Sequence, residues 1–123
     1  MSRPLHTVVE TPEFQRRLRG LLTVDERDAL IDHLAAHSDA GDVMPGTGGA
    51  RKLRSAVRGK GKGGGVRVIT FFNGPPVPVF VLTMFGKGEK INLSKFEQNA
   101  LRKMLGELVA EYRKGVRHNV KGG

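Results

Sequence analysis

The amino-terminal part of the chain changes from a strand pattern to a helix pattern at Thr11. The run from Leu5 to Glu10 is short and β-prone. Thr11-Pro12-Glu13 then supplies a helix N-cap, a proline at the first helical position and an early acid. Apolar residues recur afterwards at helical spacing and form one stripe, made of Phe14, Leu18, Leu21 and Leu22. The pattern predicts a strand followed directly by a helix.

A second helix start lies at Thr23, because Glu26 three residues later completes a capping box with it. This helix is predicted to end near His37-Ser38 and to bury Leu30, Ile31 and Leu34. Two helices so close together predict a helical hairpin. The next stretch is punctuated by glycine and proline and is predicted to be a loop, marked by Gly41, Pro45, Gly46, Gly48 and Gly49.

The centre of the chain has the residue preferences of a β-sheet. Strands are predicted at Arg51 to Val57 and at Val66 to Phe72, the latter rich in β-branched and aromatic residues. The turn Asn73-Gly74-Pro75-Pro76 leads into a further strand from Val79 to Phe85. This strand is antiparallel to the one before it, because so short a link cannot make a parallel crossover. We expect a small antiparallel sheet of three or four strands, mixed at its edge.

A last helix is predicted near the carboxyl end. Ser94 and Glu97 form a second capping box, and a helical stripe follows it, made of Leu101, Met104, Leu105, Leu108 and Tyr112. The tail from Gly115 to Gly123 has no periodicity. We therefore expect an α+β fold with a single domain over residues 1–115 and a flexible basic tail over residues 116–123.

Composition removes several classes of chemistry. The chain has 123 residues and no cysteine, which excludes disulfides, thiolate nucleophiles and sulfur-ligated metals. The segment Met1 to Pro4 lacks the apolar region of a signal peptide, and no apolar run approaches membrane-spanning length. The sequence therefore predicts a cytoplasmic protein without a membrane partner.

Charge is segregated along the chain. All twelve Asp and Glu residues lie outside the segment from Val43 to Gly88. That stretch, called the basic segment below, contains eight Lys and Arg residues: Arg51, Lys52, Arg54, Arg58, Lys60, Lys62, Arg67 and Lys87. A field of this kind attracts polyanions, most often nucleic acid, through phosphate contacts and counterion release. A basic face that is only solvated remains the alternative.

A glycine-rich loop from Arg58 to Gly65 lies at the centre of the basic segment. Its glycines let the backbone approach a phosphate closely, and its alternating lysines supply point charges. It is not a Walker loop, because Lys60 and Lys62 are followed by Gly rather than by Ser or Thr. It also lacks the context of a dinucleotide fingerprint, since it runs into a strand instead of opening a helix. A hairpin tip without a binding role remains the structural alternative.

Other catalytic groups are poorly represented in the sequence. His33 and His37 are the only histidines at i, i+4 spacing, and no zincin glutamate directly follows the first. The carboxylates occur at helix caps and on helix surfaces, and Ser55 and Ser94 lack His or Asp company. The sequence therefore predicts no metal site and no cofactor, and it leaves catalysis by cations.

Four stretches of the chain resemble motifs of one family. They run from Gly41 to Arg54, Gly59 to Lys62, Gly64 to Ile69 and Gly86 to Lys90. Together with the order of the predicted elements, they make the chain resemble a RelE/ParE-superfamily toxin of the HigB type, from Thr7 to Tyr112. The resemblance implies a RelE-like fold and the toxin of a bacterial type II toxin–antitoxin pair. Such a toxin is an endoribonuclease, or mRNA interferase, that cuts messenger RNA, typically in the ribosomal A site.

The resemblance also implies partners and residue roles. A cognate antitoxin, commonly a helix-turn-helix protein and here HigA-like, would silence the toxin, and operator DNA would be bound only through that antitoxin. RNA would be cut by attack of a ribose 2′-OH on its adjacent phosphate, without a metal. Arg67 is expected to clamp the transition state, with further catalytic cations at Lys60, Lys62, Lys87 and Lys90. Binding of the RNA backbone or of ribosomal RNA is assigned to Arg51, Lys52, Arg54 and Arg58.

The match departs from the RelE pattern at two positions. Gly88 stands where that pattern has an arginine and Ser94 where it has a tyrosine, so a base-stacking tyrosine is not expected. Two other functions stay open. One is a ParE-like inhibitor of DNA gyrase without RNase activity, although the set of Lys60, Lys62 and Arg67 argues against it. The other is a non-catalytic RNA- or ribosome-binding module that uses the basic segment alone.

Overall fold

The computed structural model describes residues 5–55, 65–74, 77–86, 88–89 and 93–122, with side chains described as far as Lys114. Within these residues the chain forms three helices and one five-stranded sheet. In chain order the elements are β1 (Val8–Glu10), α1 (Pro12–Leu18), α2 (Val24–Ala36), β2 (Asp42–Val43), β3 (Ala50–Ser55), β4 (Val66–Phe71), β5 (Val79–Phe85) and α3 (Lys95–Gly122). The fold is α+β, as the sequence predicted.

The strands lie side by side in the order β1-β5-β4-β3-β2. Neighbouring strands are antiparallel except β1 and β5, which run parallel with Val8 opposite Val79. The expectation of a sheet that is mixed at its edge is therefore confirmed. The predicted loop after α2 contains a strand that the sequence analysis missed, because β2 has only two residues, which pair with Arg51 and Lys52.

Helix caps determine where the helices begin. The Thr11 hydroxyl accepts a hydrogen bond from the Phe14 N–H at 3.2 Å, which satisfies one of the free backbone donors of the first helical turn. Both predicted capping boxes are present. In the first, the Glu26 carboxylate and the Thr23 hydroxyl accept from each other's backbone N–H groups at 2.8 and 3.1 Å. In the second, Glu97 and Ser94 do the same at 2.9 and 3.1 Å.

The first helix is shorter than its apolar stripe predicted. α1 ends at Leu18, and Gly20 adopts a left-handed φ of 80°, which glycine does at little cost. Leu21 and Leu22 lie in the turn that follows, and their N–H groups both donate to the Leu18 carbonyl at 3.0 Å. They still pack against the core, so their burial was predicted correctly and their helical conformation was not.

Helices cover both faces of the sheet. On one face, called the α1–α2 face, the buried core consists of Phe14, Leu30, Leu34, Val66, Val68, Val79, Val81 and Met84. On the other, called the α3 face, it consists of Ala50, Ile69, Phe71, Val77, Phe80, Leu105 and Val109. Alternate residues of β4 therefore enter opposite cores, as the two-residue period of a strand requires. In β5 the alternation shifts by one residue between Val81 and Thr83, so that Val81 and Met84 both enter the α1–α2 core.

The apolar stripe of α3 is rotated slightly from the predicted one. Leu105 and Val109 are buried, whereas the side chain of Met104 is 51% exposed. Positions four apart share one row of a helix, and the buried row runs through Leu105 and Val109. Met104 therefore lies at the margin of the stripe. Tyr112 reaches the sheet edge-on, with its ring 6.0 Å from that of Phe80.

The last helix is also longer than predicted. It continues from Lys95 to Gly122, past Gly115, where the sequence lost its periodicity. The division into a domain and a flexible basic tail remains a prediction. Among the helices described, none combines the length and the apolar character needed to cross a membrane.

A bidentate ion pair ties β1 to α2. Arg27 Nε and Nη2 donate to the two carboxylate oxygens of Glu10 at 2.6 and 2.7 Å. These hydrogen bonds, and the charge of Glu10, raise the pKa of Arg27 above its ordinary value. The pair holds the parallel edge strand against the second helix.

Candidate functional site

The strand register places two arginines and an aromatic residue in one row across the sheet. Arg54 is the cross-strand partner of Arg67, and Arg67 is the partner of Phe85. Cross-strand partners project from the same face. That face is the α3 face, because Ile69 and Phe71, two and four residues after Arg67 along β4, lie on the same side of the strand. Both pack in the core of the α3 face. Arg54, Arg67 and Phe85 are called the arginine row below.

Lys52 lies on the same face, opposite Ile69 of β4. Its partner on the other side is Asp42 of β2, the acid that directly precedes the basic segment. Opposite charges on paired strands compensate each other in part, so the segregation of charge is weaker around Lys52 than the sequence indicated. The uncompensated charge is concentrated at Arg54 and Arg67, neither of which forms an ion pair with another described residue.

Arg67 is held by the turn that follows β5. Its Nη2 donates to the Gly86 carbonyl at 3.1 Å and to the Glu89 carbonyl at 2.8 Å. The Glu89 N–H donates back to the Gly86 carbonyl at 3.2 Å and closes the turn, in which Gly88 has a φ of 88°. Residues other than glycine rarely adopt that backbone angle. Gly88, where the sequence lacks the expected arginine, therefore has a backbone role.

The carbonyl contacts leave two nitrogens of the Arg67 guanidinium without a partner among the described residues. Both carbonyl contacts use Nη2, and Nε and Nη1 make no hydrogen bond to another residue in the described ranges. Arginine presents five N–H donors in a rigid fork that matches two oxygens of a phosphate. The carbonyls fix the plane of this fork before any ligand arrives, and Arg67 itself is half-buried.

A second arginine reaches the same turn from α1. Arg17 Nε donates to the Met84 carbonyl at 3.0 Å, and Arg17 Nη2 pairs with the carboxylate of Glu89. Its guanidinium carbon lies 5.3 Å from the centre of the Phe85 ring, within the range of a cation–π interaction. The sequence analysis missed Arg17 because it lies outside the basic segment, and a basic residue in the last turn of a helix is common for electrostatic reasons alone.

Arg51 is separated from the other predicted RNA-binding residues. It is the cross-strand partner of Thr70, so it projects from the α1–α2 face. Its Nη1 donates to the Gly41 carbonyl at 3.0 Å, which secures the loop before β2. The structure thus brings Lys52 and Arg54 together with Arg67 and places Arg51 on the opposite side of the sheet.

The glycine-rich loop is attached beside the arginine row. Ser55 at the end of β3 and Val66 at the start of β4 are cross-strand partners, and each is the chain neighbour of a row arginine. The predicted site residues Arg58, Lys60, Lys62, Lys87 and Lys90 lie outside the described residues. Their roles remain predictions.

One groove beside β3 is lined by Arg54 but not by Arg67 or Phe85. This groove of about 510 Å³ separates α2 from β3, and it is lined by Asp25, Glu26, Ala29, Leu30, His33, Leu53, Arg54 and Ser55. Its two acids repel a polyanion, and Arg67 is absent from its lining. An extended polyanion lying across the sheet fits the arrangement of charges better than a small ligand in this groove.

No group of three or more His, Asp or Glu side chains suited to hold a metal ion occurs in the described part of the chain. The rings of His33 and His37 are 4.8 Å apart but lack a third ligand there. No model of a known protein family matches the chain.

Proposed function

We propose that this protein is a metal-independent endoribonuclease, the toxin of a type II toxin–antitoxin system, which cleaves messenger RNA on the ribosome. The observation that carries the proposal is the pairing of Arg54 with Arg67 on one sheet face, without a carboxylate partner among the described residues. Two adjacent cations suit consecutive phosphates of an RNA strand. The glycine and lysine loop begins and ends beside them.

In the proposed reaction the ribose 2′-OH attacks the adjacent phosphorus. The new O2′–P bond forms as the P–O5′ bond breaks, which yields a 2′,3′-cyclic phosphate and a 5′-OH. Negative charge develops on the non-bridging oxygens of the transition state. A fork already fixed by the Gly86 and Glu89 carbonyls stabilises that charge without reorganising, and such preorganised donors are the largest catalytic contribution in many enzymes.

Proton transfer needs groups other than Arg67, because a guanidinium does not lose its proton in proteins. Lys60 and Lys62 are proposed for this role and for additional charge stabilisation, with Lys87 and Lys90 approaching from the segment after β5. Neighbouring cations lower the pKa of a lysine, which is the requirement for proton transfer near neutral pH. Lys52 and Arg54 are proposed to hold the RNA backbone, together with Arg58, whereas Arg51 projects from the opposite face of the sheet and is left out of this role.

The order of elements supports membership of the RelE/ParE superfamily as a HigB-type toxin. After the edge strand β1, a helix pair, the antiparallel strands β2 to β5 with the basic segment, and a carboxyl-terminal helix follow one another in the described chain. The proposal then includes a cognate, HigA-like antitoxin with a helix-turn-helix, contact with operator DNA only through it, and a place in the cytoplasm on the ribosome.

A non-catalytic RNA- or ribosome-binding module is the second candidate. It is favoured by the engagement of Arg67 Nη2 with two backbone carbonyls, because a structural arginine satisfies carbonyls in the same way. Cleavage distinguishes the two functions, since both of them predict RNA binding by Lys52 and Arg54.

The test is to induce the protein in bacteria and to map RNA 5′ ends across the transcriptome. We expect new 5′-OH ends within translated messages, and none with Arg67→Ala at equal protein level. Purified protein should cut ribosome-bound messenger RNA in EDTA. Blocked translation with intact messages would instead support the binding module. Double-strand DNA breaks would indicate a ParE-like gyrase inhibitor.

A further inference from the structure

Arg17 is the one described cation outside the basic segment that contacts the turn after β5. It belongs to the last turn of α1, an element that contributes no residue to the arginine row. Three separate contacts hold its guanidinium, namely the Met84 carbonyl, the Glu89 carboxylate and the face of the Phe85 ring. These contacts join Glu89, whose N–H closes the turn, to Met84 and Phe85 at the end of β5.

The ion pair alone would not explain this arrangement. The side chains of Arg17 and Glu89 are 34% and 42% exposed, and exposed ion pairs contribute little to stability because solvent screens them. However, the same guanidinium also donates to a backbone carbonyl and stacks on an aromatic ring. A planar fork with three fixed contacts has one orientation, so Arg17 ties Glu89 to the end of β5 rather than only neutralising it.

Glu89 connects the two arginines directly. Its carboxylate pairs with Arg17, and its backbone carbonyl accepts from Arg67 Nη2 at 2.8 Å. The second carbonyl that holds Arg67 belongs to Gly86, at the other end of the same turn. Any movement of the turn therefore changes both contacts that orient the Arg67 fork.

We propose that Arg17 is a positioning residue that acts on Arg67 through Glu89. By fixing the turn to α1 and β5, it keeps the Gly86 and Glu89 carbonyls where they orient Nη2 and leave Nε and Nη1 toward the open face. Its effect on cleavage rests on the proposed function, whereas its effect on the orientation of Arg67 does not. In this role Nε and Nη2 of Arg17 bind the Met84 carbonyl and the Glu89 carboxylate rather than RNA.

The first test measures Arg67 without RNA. Hindered rotation and slow solvent exchange of the Arg67 Nη2 hydrogens, followed by ¹⁵N NMR of the arginine side chains, report its bonds to the two carbonyls. Arg17→Ala should accelerate both processes in the folded protein. Arg16→Ala is the matched control, because Arg16 adjoins Arg17 and its ion pair within the described residues is with Glu13 on its own helix. Unchanged Arg67 signals in Arg17→Ala would overturn the inference.

The second test measures cleavage of ribosome-bound RNA in single turnovers. Arg17→Ala should lower the rate at saturating RNA on the order of 10²-fold, a typical cost of misplacing a catalytic group, with little change in RNA affinity. Glu89→Gln should give a smaller loss, because it keeps both carbonyls and a neutral hydrogen bond. It also breaks the ion pair without altering α1, so it covers the case in which Arg17→Ala unfolds the protein.

A double-mutant cycle separates positioning from general damage. If Arg17 acts through Arg67, Arg17→Ala should cause no further loss in an Arg67→Ala background. An equal loss in both backgrounds, or the same loss in Arg16→Ala, would contradict the inference. Absence of cleavage by the unmutated protein would overturn the proposed function and leave the NMR result to decide the role of Arg17.

Discussion

Arg54 of β3 and Arg67 of β4 are direct cross-strand partners on the α3 face of the sheet. Like charges placed directly opposite each other on paired strands destabilise a sheet. The repulsion here is not offset by an ion pair with any described residue. The protein therefore carries an electrostatic cost in its free form that a bound polyanion would relieve.

The first prediction follows from that cost. Arg54→Thr keeps a strand-forming residue but removes the repulsion, so it should raise the free energy of unfolding by about 0.2–1 kcal/mol at low salt. The gain should shrink as salt screens the charges. RNA affinity should fall, and the slope of log K against log salt should decrease by about 1. Urea unfolding and RNA titration over a salt series measure these quantities.

Arg51→Thr is the control for this substitution, because Arg51 lies on the same strand but projects from the other face. It loses the hydrogen bond to the Gly41 carbonyl and should lower stability at every salt concentration. If Arg54→Thr and Arg51→Thr behaved alike, the separation of the two arginines by the sheet would have no functional meaning.

The second prediction concerns Arg67. Arg67→Ala should lower the single-turnover cleavage rate by about 10²–10³, the typical cost of removing a donor at developing charge. Arg67→Lys should restore only part of the activity, because an ammonium keeps the charge without the planar fork. Circular dichroism should show that both variants are folded. A fully active Arg67→Lys would mean that charge alone is sufficient at this position.

The third prediction compares two threonines, both of which are completely buried. Thr47 donates to the Met44 carbonyl at 2.7 Å and accepts from the Ala50 N–H at 3.0 Å. Thr70 Oγ1 has no hydrogen-bond partner among the described residues. Thr47→Val should cost about 1–3 kcal/mol because it leaves buried backbone groups unsatisfied. Thr70→Val, the same change in shape, should be neutral or stabilising when measured by the same urea unfolding.

The fourth prediction is a pH dependence. Hydrogen bonds from Ser94, above all from its backbone N–H, lower the pKa of Glu97 below its ordinary value of 4.5. A carboxylate whose pKa is lower in the folded state stabilises the fold above its unfolded-state pKa and loses that contribution as the pH falls through its folded-state pKa. Glu97→Gln should therefore lower Tm at neutral pH and have little effect in strong acid.

Glu107→Gln is the control for that experiment, because Glu107 is an exposed glutamate farther along the same helix. It should show no comparable pH-dependent difference from the unmutated protein. An equal difference in both variants would assign the effect to the net charge of α3 rather than to its cap.

Local signals in the sequence predicted the elements that depend on local chemistry. The two capping boxes and the bounds of β5 agree with the structure, because caps and short β-branched runs act through neighbouring residues. Gly20 was the available signal for the early end of α1, since a glycine in the left-handed conformation often follows the last turn of a helix. The apolar spacing of Leu21 and Leu22 outweighed the signal from Gly20. These two leucines pack against the core from the turn after α1, not from a helix.

The site depends on contacts that local patterns do not specify. Strand register decides that Arg54 and Arg67 meet and that Arg51 is excluded, and register follows from the pairing of whole strands. Arg17 reaches Glu89 across 72 residues, and nothing in the sequence around either residue indicates that contact. Charge composition thus predicted a cationic surface, while its geometry required the fold.

The parallel pairing of β1 with β5 also determines how late in synthesis the protein can complete its fold. Thr11 at the start of α1 donates to the Val81 and Leu82 carbonyls, 70 and 71 residues later in the chain. Contacts of such long separation form late and slowly, and a growing chain cannot make them before both segments have left the ribosome. Helices α1 and α2 are synthesised early, whereas Phe85 and the carbonyls that hold Arg67 arrive only with the last third of the chain. A nascent chain that stops before Val79 has every residue of β3 and β4 but cannot assemble the site.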